Sequence, residues 1–122
     1  MDSSFVTCRL LPDESSIEVD QAFEEHTAGK LDFLSSPILP LEVLNALKSA
    51  VLSKRIDEHQ AKTLTSDFQA LDIKLQDIDL EKTLSLSLEK NCSVYDASYL
   101  HLSKKHALPL LTLDRKLKTI SN

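Results

Sequence analysis

Tyr95-Asp96-Ala97-Ser98-Tyr99-Leu100-His101-Leu102, followed by Leu108-Pro109-Leu110-Leu111-Thr112-Leu113-Asp114-Arg115-Lys116-Leu117, reads as a helix and then a strand that stops at an aspartate. The helix is expected to begin near Tyr95 or Asp96 and to run to about His106. Pro109 suits the edge of a buried strand over Leu110–Leu113, because it has no N–H to give to a ladder. Asp114 is placed to open a last helical turn or two. Before Asp96 lies another short apolar run, Cys92-Ser93-Val94. Each aspartate is therefore expected where a short run meets a helix.

Upstream the same alternation recurs. Val19, Ala22, Phe23 and His26 fall at helical spacing between about Asp13 and Ala28, and Gly29 is placed for the left-handed turn that ends a helix. Phe33-Leu34-Ser35-Ser36 precedes Pro37 and Pro40 and predicts a brief strand. A helix from about Leu41 carries Val43, Leu47, Ala50 and Val51 on one stripe, with Glu42 and Asn45 together on another. Asp57 and Gln60 have the spacing of a capping box, opening a helix with Ala61, Leu64, Phe68 and Leu71 along one face. Ile73 and Leu75 alternate with charges as in a half-exposed strand, and a helix over Asp79–Lys90 ends at Asn91. Short apolar strands alternating with longer helices predict a three-layer α/β/α fold around a short central parallel sheet, as a single domain over residues 1–122.

Composition narrows the function. Apolar residues are 42% and charged residues 27% of the chain, which suits a folded domain with one core. No apolar run is long enough to cross a membrane, and Met1-Asp2-Ser3-Ser4 lacks the form of a secretory leader, so a cytoplasmic protein without a membrane partner is expected. Cys8 and Cys92 stand apart, with no zinc-like spacing, and read as small buried apolar residues. His26, His59, His101 and His106 form no site pattern. A net charge of −5 argues against a broad positive field for nucleic acid. Any such partner must meet local patches at Lys54-Arg55, at Lys104-Lys105-His106, or at Arg115-Lys116 with Lys118.

In open parallel sheets ligands gather beyond the carboxyl ends of the strands. There the sequence places carboxylates: Asp2 at the exit of a first strand, Glu42 opening the helix after the second, then Asp96 and Asp114. Singly, each is an ordinary helix-capping acid. Brought to one rim they repel one another unless a divalent cation lies between them, and such hard oxygen donors suit Mg²⁺ or Mn²⁺.

The 95–102 and 108–117 stretches quoted above resemble the C-terminal signature of PIN domains of the bacterial VapC toxin type. Pro40-Leu41-Glu42-Val43-Leu44-Asn45-Ala46-Leu47 resembles that family's second acidic motif, and Asp2-Ser3-Ser4-Phe5 its first. The resemblance implies an acidic pocket of Asp2, Glu42, Asp96 and Asp114 that binds the metal, with Thr112 supporting it and Ser4 and Asn45 beside it. It implies a Mg²⁺- or Mn²⁺-dependent endoribonuclease acting on RNA, commonly a homodimer and held inactive by a small antitoxin protein. Lys104, Lys105, Arg115 and Lys116 are the candidates for RNA phosphate contacts. Only Met1 precedes Asp2, so the first strand is expected to be truncated.

That truncation leaves a second class open, a PIN-like binding module that pairs with an antitoxin or another protein but no longer cuts RNA. A phosphate-accepting signalling domain also clusters carboxylates at strand ends. It lacks support here, because no aspartate lies mid-sheet with a lysine late in the chain to match.

Overall fold

A computed structural model describes residues 1–121. Within them run α1 (Ser3–Leu10), α2 (Ile17–Thr27), β1 (Phe33–Ser35), α3 (Leu39–Leu52), α4 (Glu58–Ala70), β2 (Ile73–Leu75), α5 (Leu80–Lys90), α6 (Val94–His106) and α7 (Arg115–Ser121). The architecture is the expected α/β one, with β1 and β2 parallel and Phe33, Leu34 and Ser35 opposite Ile73, Lys74 and Leu75. No helix is long and apolar enough to cross a membrane among the described residues.

Several boundaries follow from side-chain chemistry visible in the sequence. Asp57 and Gln60 exchange the two hydrogen bonds of a capping box at the start of α4. Gly29 takes a φ of 74° after α2, and Asn91 a φ of 51° after α5, as left-handed helix ends require. Ser16 caps α2, so that helix begins later than Asp13.

The main core joins α1 to α4 with the sheet. Phe5, Val6, Val19, Phe33, Leu39 and Val43 are fully buried in it, and Phe23 stacks on Phe5 and lies tilted against Phe33. α5 packs on α6 around a smaller cluster of Leu86, Ala97 and Leu100. α6 links the two, since Tyr99 on the same helix belongs to the main core.

The structure corrects the expectations at three places. α1 was not anticipated: Phe5, Val6, Thr7, Cys8 and Leu10 are all buried, so it shows no polar stripe and no amphipathic period. Cys92-Ser93-Val94 is not a strand, because the Ser93 hydroxyl accepts from the Asp96 N–H and starts α6 at Val94. Asp96 therefore stands in the first turn of a helix and not at a strand exit. Leu110–Leu113 is extended but builds no ladder. Its neighbour is the stub Met1-Asp2, whose Asp2 N–H donates to the Leu111 carbonyl at 3.0 Å.

On its other side the stub meets β1. The Met1 amino group donates to the Leu34 carbonyl at 3.0 Å, and the Ser35 hydroxyl donates to the Met1 carbonyl at 2.6 Å. Met1 and Asp2 thus bridge β1 and the Leu110–Leu113 run. Next to it a cavity of about 360 Å³ opens between Phe33, Leu34, Leu110 and Leu111, with Tyr99 and Leu102 also lining it.

His101 ties α6 to the start of α5. Its Nε2 accepts the Asp79 N–H at 3.3 Å, a bond open only to the neutral ring. Burial, then the charge of Lys105, hold its pKa below the ordinary value; Asp79 opposes this, while Lys82 and His106 add to it. A base whose folded pKa is depressed favours folding when neutral, so its contribution is present above pH ~6.5 and is lost as pH falls below that value. The thermal midpoint is expected to drop on acidification from pH 7.5 to 5.5. His101→Gln, which keeps an acceptor but cannot titrate, is expected to flatten that part of the profile in a melting series.

Candidate active site

Asp2 is buried, and its carboxylate is surrounded by donors. Oδ1 accepts from the Ser4 hydroxyl at 2.7 Å and the Phe5 N–H at 3.2 Å, while Oδ2 accepts from the Thr112 hydroxyl at 2.5 Å. Those hydroxyls accept in turn, Ser4 from the Leu113 N–H at 2.9 Å and Thr112 from the Asp114 N–H at 3.0 Å. The Asp2 knot therefore caps α1 and sets the backbone that presents Asp114. Asp114 caps α7, accepting the Leu117 N–H at 2.8 Å.

Glu42 lies half-buried in the first turn of α3, just beyond β1, and accepts a hydrogen bond from the Tyr99 hydroxyl. Asp96, half-buried in the first turn of α6, differs from both: no hydrogen bond reaches its carboxylate among the described residues. Its pKa is raised, first by burial and then by the negative charges of Asp114, Glu42 and Asp2, with Lys116 opposing them. Acids from three other stretches of the chain thus all bear electrostatically on Asp96.

A PIN domain family model matches residues 2–122. The chain belongs to the PIN-domain family. This PIN domain is 31% identical over 121 residues to a protein named Ribonuclease VapC3 from Pyrobaculum aerophilum, across 96% of this chain and 89% of that one. It also shares its fold with the crystal structure of PAE2754 from the same organism, with a TM-score of 0.72 and 24% identity over 95% of this chain and 74% of the other.

The other expected residues divide into two groups. Thr112 and Ser4 join the Asp2 cluster through their hydrogen bonds to its carboxylate, whereas Asn45 is exposed one turn after Glu42. Lys116 stands at the rim, where its charge reaches Asp96 and its Nζ donates to the Asn91 carbonyl at 3.0 Å. Arg115 is exposed next to Asp114. Lys104 and Lys105 lie in the last turn of α6, roughly 12 Å along the helix from Asp96, at the opposite end from the pocket.

Tyr99 was missed in the sequence. The signal was its place three residues after Asp96, the spacing that sets two side chains on neighbouring faces of one helix. Its apolar neighbours are those of a core residue, which its ring also is.

The donor chemistry suits a hard divalent cation: every candidate is a carboxylate, and the Asp96 charge is half-buried without hydrogen bonds. Among the described residues no group of three or more His, Cys, Asp or Glu side chains is close enough to hold an ion. Asp2 and Asp114 are instead turned to their capping bonds.

Thr112→Val keeps the shape but leaves Asp2 Oδ2 and the Asp114 N–H without their partner. Loss of such buried bonds is expected to cost about 1–3 kcal/mol, read as a lower midpoint in urea with an unchanged slope. An unaltered midpoint would show that the knot does not hold this end of the molecule together.

Proposed function

We propose that this PIN domain is an endoribonuclease dependent on Mg²⁺ or Mn²⁺, the toxin component of a toxin-antitoxin pair. The observation that carries the reading is the convergence of Asp2, Glu42 and Asp114 upon Asp96, whose charge they all disfavour. The relative named as a ribonuclease supports it.

Asp96 is the first candidate to hold the ion, with Asp114 and Asp2 completing the site and Glu42 binding through water or orienting it. An ion held by these carboxylates would lower the pKa of a water for attack on the phosphodiester and would offset charge building on phosphorus. The chain's own part is placement. Thr112 and Ser4 hold Asp2 in one orientation, Tyr99 holds Glu42, and Arg115 and Lys116 offer cations to an RNA phosphate at the rim.

Exposed apolar side chains support protein partners, an antitoxin and a second copy of the chain. Leu80, Leu84 and Leu88 form an exposed stripe on α5, and Leu41 and Leu44 are exposed on α3. A cavity of about 450 Å³ lies between Ile38, Leu80, Leu84, Val94 and Tyr95. The hydrogen bonds that occupy both oxygens of Asp2 favour a second reading, a binding module that meets such partners without cutting RNA.

The acid cluster gives a test that separates these readings. At neutral pH the Asp96 charge opposes folding, because a carboxyl whose folded pKa is raised loses stability as pH climbs through that value. Mn²⁺ is therefore expected to raise the melting temperature of the parent chain, and Asp96→Asn to melt higher than the parent without metal yet gain nothing from Mn²⁺. Structured RNA should be cut by the parent with Mn²⁺, spared when a chelator is present, and spared by Asp96→Asn. A metal-induced thermal shift without any cleavage would favour the binding module; full activity in Asp96→Asn would sink the nuclease assignment.

A further inference from the structure

We propose that Tyr99 is the positioning residue for Glu42, its buried hydroxyl holding one carboxylate oxygen so that the other is presented to a divalent ion. The inference rests on the reading of Glu42 as part of a metal pocket. Its geometric basis is the hydrogen bond from the Tyr99 hydroxyl to Glu42 Oε1, which joins α6 to α3 across 57 residues of sequence. No hydrogen bond reaches Oε2 among the described residues.

A glutamate in the first turn of a helix has a competing use. Its flexible side chain can fold back on the unpaired N–H groups of its own helix start, as Asp114 does in accepting the Leu117 N–H at the start of α7. A donor fixed from outside removes that freedom. Tyr99 is such a donor, because its side chain is 2% exposed and packed in the main core, so the ring cannot follow the carboxylate if it swings away.

The two helices are also pinned beside this bond. The Ser36 and Ser98 hydroxyls, both buried, meet at 2.7 Å, linking the β1–α3 turn to the residue before Tyr99. Ser98 also donates to the Tyr95 carbonyl at 2.6 Å, which holds its own orientation. The distance from ring to Glu42 is therefore set by packing and not by the hydrogen bond alone.

The consequence concerns metal affinity more than stability. Groups that orient a ligand from behind typically change affinity by about 10–100-fold when removed. Calorimetric titration of the whole chain with Mn²⁺ reads this directly. Tyr99→Phe, which keeps the ring, is expected to bind Mn²⁺ about ten-fold more weakly with its melting temperature close to the parent's. Glu42→Gln is expected to bind more weakly as well. Adding Tyr99→Phe to Glu42→Gln should then cost nothing further, since the bond acts only through the carboxylate.

Glu42→Asp supplies an independent arm, because it retains the charge but shortens the reach to Tyr99. It should match Tyr99→Phe, and the two combined should be no worse than either. A Tyr99→Phe protein that binds Mn²⁺ like the parent would overturn the proposal, as would an equal further loss in the Glu42→Gln background. Parent-like binding by Glu42→Gln itself would remove Glu42 from the pocket, and the role of Tyr99 with it.

Discussion

A single buried carboxylate holds the two ends of this molecule together. Asp2 is 4% exposed and bonds to Thr112 across 110 residues of sequence. Burying a charge is costly unless hydrogen bonds replace water, and here Ser4, Phe5 and Thr112 supply them. Because Ser4 and Thr112 also accept backbone N–H groups from Leu113 and Asp114, one cluster caps α1, fixes the extended run and aims the start of α7. The sheet alone would do this poorly. Its assigned strands are three residues each, and the Leu110–Leu113 run reaches it only through Met1 and Asp2.

The acids themselves have opposite circumstances. Asp2 is satisfied by neighbours, Glu42 is held by one phenol, and Asp96 has burial and like charges around it with no hydrogen bond among the described residues to offset them. A protein selected only for stability would not keep Asp96 charged there. On the proposed reading this local conflict belongs to a cation site, which is a poor place for anions when the cation is away.

How much of this could be read beforehand depended on whether the cause was local. The capping box at Asp57, the left-handed Gly29 and Asn91, and the helix stripes of α3 and α4 are settled by residues within one or two turns, and they were legible. α1 was hidden because it is buried on nearly every side, which erases the alternation that marks an amphipathic helix. The supposed strand at Cys92–Val94 failed for the opposite reason, since a hydroxyl at Ser93 supplied a cap that apolar patterning does not weigh. At the site, the acids could be picked out by their places after apolar runs and by family resemblance, whereas Tyr99 could not. Its role needs α3 and α6 side by side, which Ser36 and Ser98 arrange across 62 residues.

The charge distribution poses a constraint of its own. The chain carries a net −5, and three of its acids bear on a fourth, Asp96, so on the proposed reading an RNA phosphate approaching Asp96 meets repulsion first. Lys104 and Lys105 cannot relieve this, because they sit a helix length away. Lys116 and Arg115 are better placed, one acting on Asp96 and the other beside Asp114, but two cations do not balance four carboxylates. On the proposed reading, a divalent ion supplies the remaining positive charge. Substrate binding and metal binding would then be linked electrostatically, because a cation held by these carboxylates would lower the repulsion that an RNA backbone meets there.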